Sequence, residues 1–426
     1  MSSPDTAPAT DTRPAGNGFA AIEAMPAEEL ALRHARVRAE LARALPDAAG
    51  LMAFSRPALY WLSGHLGNGA FWLPMDGAPV LLCRRGIDRA RLESPLANIL
   101  PFRSYSDLPG LLTDAGSPLP DSSAVAAETS GLPWSLGTLL TKKLPTLRFV
   151  PGDAPLARAR SVKTAWELDK MRLCGERHHR ALHDILPGRM RPGMTERELS
   201  IAAWGVFFEL GHSGHMRMNG PGDEIFLGHV SAGENANYPS VFNGPVGLMG
   251  DHPSLPFMGY AGTRWNPGEP LVMDIGFCLE GYATDKTQVY WSGPRASIPA
   301  RVAAAHAFCV SVQAWLAENM KPGAIPSQLY EAVMQRAEKE GWTEGFMALG
   351  TNKVSFLGHG IGLAIDEHPV IAKGFDDPLE EGVVMALEPK LGIPGVGMVG
   401  VENTFEVTPT GARCITGAQY EMVCID

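Results

Sequence analysis

Two segments in the second half of the chain each fold back around a glycine and carry a carboxylate on both arms. VMDIGFCLEGYATDKTQVYW alternates like a half-buried strand on either side of a turn near Leu279–Gly281. About that centre, Asp274 and Asp285 lie opposite each other or one diagonal step apart, where cross-strand side chains meet. VVMALEPKLGIPGVGMVGVENTFEV turns at Pro394–Gly395–Val396, and Glu388 and Glu402 are each seven residues from Gly395. A glutamate ending an apolar run, mirrored by another across the turn, has no place in a plain core strand. Such a chain must bring two polar-tipped hairpins together.

His359 belongs with them. It sits in Gly358-His-Gly-Ile-Gly362, where three glycines allow positive φ and close backbone approach, so the imidazole can enter a crowded site. Four carboxylates and one imidazole repel or protonate unless cations neutralise them, and two divalent ions balance the charge. Asp274, Asp285, His359, Glu388 and Glu402 therefore read as the ligands of two divalent ions. The donors are nearly all oxygen with no thiolate, which favours manganese, with cobalt, iron or zinc as alternatives.

The rest of the 426 residues frames that site. A charge of −10 argues against a nucleic-acid or anionic membrane partner, and no apolar run approaches the length of a membrane span. Six scattered cysteines without a CxxC pair read as reduced thiols in a cytoplasmic protein. Residues 1–19 (MSSPDTAPATDTRPAGNGF) contain no signal-peptide pattern and read as a disordered tail. Residues 20–157 alternate a helical pattern with strand-like GLMAF, APVLLC and SAVAAE, a small α/β domain closed by the linker-like VPGDAPLARARSVKT. Residues 158–426 form the second domain, opened by a helix that Thr164 and Glu167 cap.

This second domain repeats internally. MRPG at 190–193 and MKPG at 320–323 stand 130 residues apart, and the helical segments after them end at Gly211 and Gly341, the same offset. Duplication about a pseudo-two-fold axis is expected, two similar halves facing each other.

DIGFCLEGYATDKT, LGHGIGLAIDEHP, LEPK and VGVENTFEVTPTG resemble, in that order, the motifs of the pita-bread metallohydrolases: prolidases, Xaa-Pro and methionine aminopeptidases, and creatinase. RSVKTAWELDKMR and SRPALYWLSG resemble the entry helix and N-terminal domain of the prolidase/creatinase branch. The resemblance implies an α+β chain: a pita-bread catalytic domain with a pseudo-two-fold repeat, behind a smaller creatinase-type α/β domain. It implies that Asp274 holds one ion, His359 and Glu388 the other, and that Asp285 and Glu402 bridge them. Glu388 would carry a proton to the leaving nitrogen, and the chain would form a homodimer.

Four positions depart from that pattern. Ser240, Ser355 and Asp366 stand where the peptidase branch has histidines, and Gly400 where an arginine is usual. Either Ser240 serves the oxyanion in a variant peptidase, or the substrate differs. Asp366 would draw a cationic group such as a peptide amino terminus, or else pair with a neighbouring Arg or Lys. The stretch from Ser240 to Asp274 is long and Gly/Pro-rich, and is expected over the mouth of the site, where His252 and Arg264 could replace missing functions. His229 is a further candidate, whereas His178, His179, His212 and His215 read as helix-surface or loop residues. The expected activity is a metal-dependent cleavage of short peptides before proline. The alternatives are a C–N hydrolase or lyase acting on a small metabolite, and an inactive binding homologue.

Overall fold

The computed structural model describes residues 19–426 except 122, 131, 221–223 and 258, so the tail expected over residues 1–19 lies, but for Phe19, outside the described residues. The chain divides into two compact units, Met1–Arg160 and Ser161–Asp426.

In the first unit, helix Ala27–Ala44 buries Leu30, Val37 and Leu41, one face at helical spacing. A six-stranded mixed sheet runs in the order Ile99–Pro101, Val80–Arg85, Asn68–Pro74, Ala48–Ala53, Ala124–Ala127, Arg148–Pro151. Its short strands are apolar because helices or loops cover them, and Met52, Trp72, Leu82 and Val125 are fully buried. The segment read as a linker is instead strand Arg148–Pro151 followed by helix Asp153–Ser161. Pro155 falls in the first helical turn, where a missing N–H costs nothing, so a proline there does not mark a linker.

The second unit opens with helix Ala165–His179, whose Thr164–Glu167 capping box is formed. The helix then widens into a π-turn over Arg180–Ile185. The 130-residue offset extends to whole elements: helix Glu196–Glu209 is matched by Pro326–Lys339, and Gly193 and Gly211 by Gly323 and Gly341, all with positive φ. A four-stranded sheet runs Val423–Ile425, Tyr282–Ser292, Pro270–Leu279, Gly228–Ala232, and a five-stranded one Glu367–Ala372, Phe356–Gly360, Val384–Leu387, Asn403–Thr408, Gly411–Cys414. His229 and His359, also 130 apart, lie on matching strands Gly228–Ala232 and Phe356–Gly360. The helices cover these sheets with two apolar cores, one around Leu199, Phe207, Met273 and Phe277, the other around Phe308, Val312, Met385 and Leu387.

Two expectations about this unit are corrected. His178 and His212 are core residues, not surface ones: His178 contacts Thr284 Oγ1 at 3.1 Å, and His212 Nδ1 accepts from the Cys278 N–H. The long segment after Ser240 also docks mainly on the start of helix Glu196–Glu209. The Glu196 carboxylate accepts from the Ala232 and Tyr260 N–H groups, Thr263 O accepts from the Glu196 N–H, and Arg197 pairs with Asp251. A carboxylate at a helix N-terminus is an anchor for any loop with free N–H groups. No helix among the described residues is long and apolar enough to cross a membrane.

Candidate metal centre

The first hairpin pairs Asp274 with Thr287 and Gly276 with Asp285, so the two aspartates are diagonal neighbours on one face. Glu280 and Gly281 make the two-residue turn, both with positive φ. In the second hairpin, Val384–Leu387 pairs with Asn403–Thr408 and Lys390–Ile393 with Gly397–Gly400 in one continuous register. Glu388 and Glu402 face each other in the gap between the two ladders. There their backbones bond elsewhere: the Glu388 N–H to Leu357 O, and Glu402 O to the Thr287 N–H. The hairpins are thus stitched together at their carboxylates. Thr404 adds a second stitch, its hydroxyl donating to Asp285 O and accepting from the Asp285 N–H.

His359 pairs with Ala386 in the neighbouring strand. The glycines around it serve close approach alone, since none has positive φ. A Cβ on Gly358 would lie 2.3 Å from Ala386 O, and one on Gly360 2.3 Å from His368 O. His359 Nδ1 lies 3.0 Å from Gly360 O, a carbonyl that can only accept, so the proton is on Nδ1. Nε2 faces Glu388 Oε1 at 3.6 Å and Glu402 Oε1 at 3.8 Å. A cation between them, either a second ring proton or a metal ion, would satisfy the nitrogen and both oxygens. Asp285, His359 and Glu402 each offer one ligand atom, all within 4.8 Å of one another, a donor set that fits a divalent ion.

Lys390 is the feature that the sequence reading passed over. Its ammonium, 1% exposed, lies 2.6 Å from Glu402 Oε2, 3.0 Å from Glu388 Oε2 and 3.2 Å from Asp274 Oδ2. The signal was present in LEPK: two residues after Glu388, a strand points Lys390 to the same face. Thr287 was missed for the same reason; its Oγ1 lies 2.7 Å from Asp274 Oδ1 and 3.1 Å from Glu402 Oε2. Burial pushes Asp274, Asp285 and Glu402 up, and the charges then separate them. Burial is the largest single influence on Asp274, but Lys390, His229 and the hydrogen bonds with Glu402 and Thr287 together outweigh it and hold Asp274 down at about 2. Asp285 stays up at about 7 because burial and the Asp274 charge act together, and Glu402 is raised well above the usual range by burial and Asp285. Although burial opposes it, the surrounding carboxylates hold Lys390 firmly charged. Four carboxylates with one ammonium still leave excess negative charge.

A cavity of about 410 Å³ opens on this cluster and is lined by all five residues read as ligands. His229 and Asp366 also line it, as do Phe242, Phe356, His368 and Val370. His229 is opposite Asp274 in the sheet, and burial lowers its pKa despite the Asp274 charge. Asp366 accepts from the Asn219 N–H at 2.6 Å and is shifted up by burial. The lysine pairing considered for it goes instead to adjacent Glu367, 3.2 Å from Lys163. His368 was quoted in a motif without a role; the neighbouring Pro369 gave no hint that the ring faces the cavity.

The remaining candidates lie off this lining. Ser240 accepts from the Phe242 N–H, Ser355 is exposed, and Gly400 packs on Pro389 and Lys390. His252 is exposed and bonded to Ser254, and Arg264 donates to Gly193 O, so neither reaches the mouth. Among the described residues between Ser240 and Asp274, 242–244 line the cavity.

Residues 169–409 match the profile of metallopeptidase family M24, and residues 33–162 that of the creatinase/prolidase N-terminal domain. The chain is 27% identical over 368 residues to a probable dipeptidase PepE of Mycobacterium tuberculosis, covering 84% of this chain and 85% of the relative. It is 24% identical over 371 residues to an Xaa-Pro dipeptidase of Pyrococcus furiosus, covering 86% and 92%. Among solved structures, dipeptidase PepE from Mycobacterium ulcerans superposes with a TM-score of 0.75 at 24% identity, over 95% of this chain and 100% of that one. An X-Pro aminopeptidase from Thermotoga maritima gives 0.72 at 20% identity, over 92% and 99%.

Proposed function

Because the chain belongs to metallopeptidase family M24 and is a metal-dependent, peptidase-like hydrolase, we propose that it cleaves short peptides at the bond before proline, dipeptides above all. The observation that carries this reading is the convergence of Asp274, Asp285, His359, Glu388 and Glu402 on one cavity of about 410 Å³. Asp285, His359 and Glu402 would hold a divalent ion, with Glu388 beside it. The oxygen-rich donors favour manganese, with cobalt, iron or zinc as substitutes. When bound, the ion supplies Lewis-acid activation of water and of the scissile carbonyl.

The chain's own groups do the rest. Glu388, with one oxygen toward His359 and the other on Lys390, is placed to take the water's proton and pass it to the leaving nitrogen. Phe356 and Val370 offer an apolar wall to a prolyl ring. Asp366 receives the substrate's amino terminus, and His229, held neutral, orients the peptide from the Asp274 side. A homodimer in the cytoplasm belongs to the same reading; the six free thiols suit a reducing compartment.

A second reading, a C–N hydrolase or lyase acting on a small cationic metabolite, draws on Asp366 at a position where peptidases of this kind carry histidine. Turnover of Xaa-Pro dipeptides, other dipeptides, tripeptides and N-acetylated peptides with added manganese separates the two. Hydrolysis of free Xaa-Pro dipeptides but not acetylated ones is expected, with Asp366→Asn raising KM more than it lowers kcat. No peptide turnover with any of the four metals, alongside turnover of small ammonium compounds, would favour the second reading.

A further inference from the structure

We propose that the Lys390 ammonium is a built-in substitute for one metal ion, filling the Asp274 side of the centre so that it takes a single divalent ion rather than two. This rests on the reading of these side chains as a metal centre. Glu388 and Glu402 each divide their oxygens: Oε2 goes to Lys390 at 3.0 and 2.6 Å, while Oε1 faces His359 at 3.6 and 3.8 Å. That is how a carboxylate spans two cations, and one of the two is already covalently present. Asp274 is satisfied on both sides, Oδ2 by Lys390 and Oδ1 by the Thr287 hydroxyl, so it has no oxygen free of a donor.

A divalent ion on the Asp274 side would need those oxygens at about 2.0–2.2 Å, in the space the ammonium occupies. Displacing Lys390 would leave a buried charge without its partners, because the side chain is 1% exposed. The fold also makes room for it. Lys390 pairs across the hairpin with Gly400, where φ is 137° and a Cβ would stand 2.6 Å from the Lys390 Cα. The one basic residue of this rung therefore comes from position 390, with none possible opposite. Among the described residues, no lysine or arginine ion pair is made to Asp285 or Glu402 Oε1, in the other half of the centre.

The test is metal stoichiometry. Metal-free enzyme is reloaded with manganese, freed of excess by gel filtration, and measured by elemental analysis and electron paramagnetic resonance. Wild type is expected to hold one ion per chain with the spectrum of an isolated ion. Lys390→Ala is expected to hold two, with the spectrum of a coupled pair. Two coupled ions in the wild type would overturn the substitution while leaving the metal-centre reading intact. A folded Lys390→Ala that still holds one ion would overturn the ammonium as the occupant. No ion in either protein would overturn both readings. If Lys390→Ala does not fold, the wild-type count and spectrum decide by themselves.

Discussion

At the scale of single residues, two buried lysines behave in opposite ways. Lys390 is surrounded by three carboxylates and is held charged. Lys286, also 1% exposed, donates to the neutral Asn403 side chain at 2.6 Å, and burial lowers its pKa to about 8. Between pH 10.5 and 8 the unfolded chain takes up a proton that native Lys286 does not, so stability falls as pH falls across that window and stays low beneath it. Lys286→Met is therefore expected to be more stable than wild type by about 1–3 kcal/mol near pH 7, with the gain shrinking above about pH 8. Asn403 keeps Thr416 and Gln313 as partners in that variant. Urea denaturation at several pH values checks it; equal stability at all of them would show that Lys286 is not strained.

At the scale of elements, the centre depends on strands that approach closely. Gly358→Ala would press a methyl group against Ala386 O, in the strand that leads into Glu388. A loss of about 1–3 kcal/mol is expected, together with weaker metal retention, read by denaturant midpoint and metal content. Wild-type values for both would mean that the glycine merely happens to stand there. The two hairpins were legible in the sequence because alternation and turn residues are local signals. Lys390 was not, although it stands two residues from Glu388, because its significance depends on Asp274 arriving from another sheet. The loop after Ser240 failed for a related reason. Gly and Pro mark it as a loop, but its docking partner, the Glu196 carboxylate, is a tertiary matter.

At the scale of the whole molecule, buried neutral histidines occur in both units. Burial lowers His34 and His212 to about 4, and lowers His178 well below the ordinary histidine value. Between pH 6.5 and 4 the unfolded chain binds protons that the native histidines refuse, so their contribution is complete above pH 6.5 and is lost as pH falls. His34 and His212 each account for up to about 3 kcal/mol, and urea midpoints should drop steeply between about pH 6.5 and pH 4.5. His34→Gln should flatten that drop in the first unit; an unchanged slope would contradict the assignment. The 130-residue repeat was readable because matched turns and helix lengths survive in one chain. Between the duplicated halves, the proposed function places a divalent ion at Asp285, His359 and Glu402 that enables peptide hydrolysis. The most direct measurement is turnover of an Xaa-Pro dipeptide by chelator-stripped enzyme before and after manganese is restored, in wild type and in Asp285→Asn. Activity is expected to vanish on stripping, to return with manganese in the wild type, and to stay at least about 100-fold lower in the variant. Full activity in the stripped enzyme, or in reloaded Asp285→Asn, would contradict the proposed function.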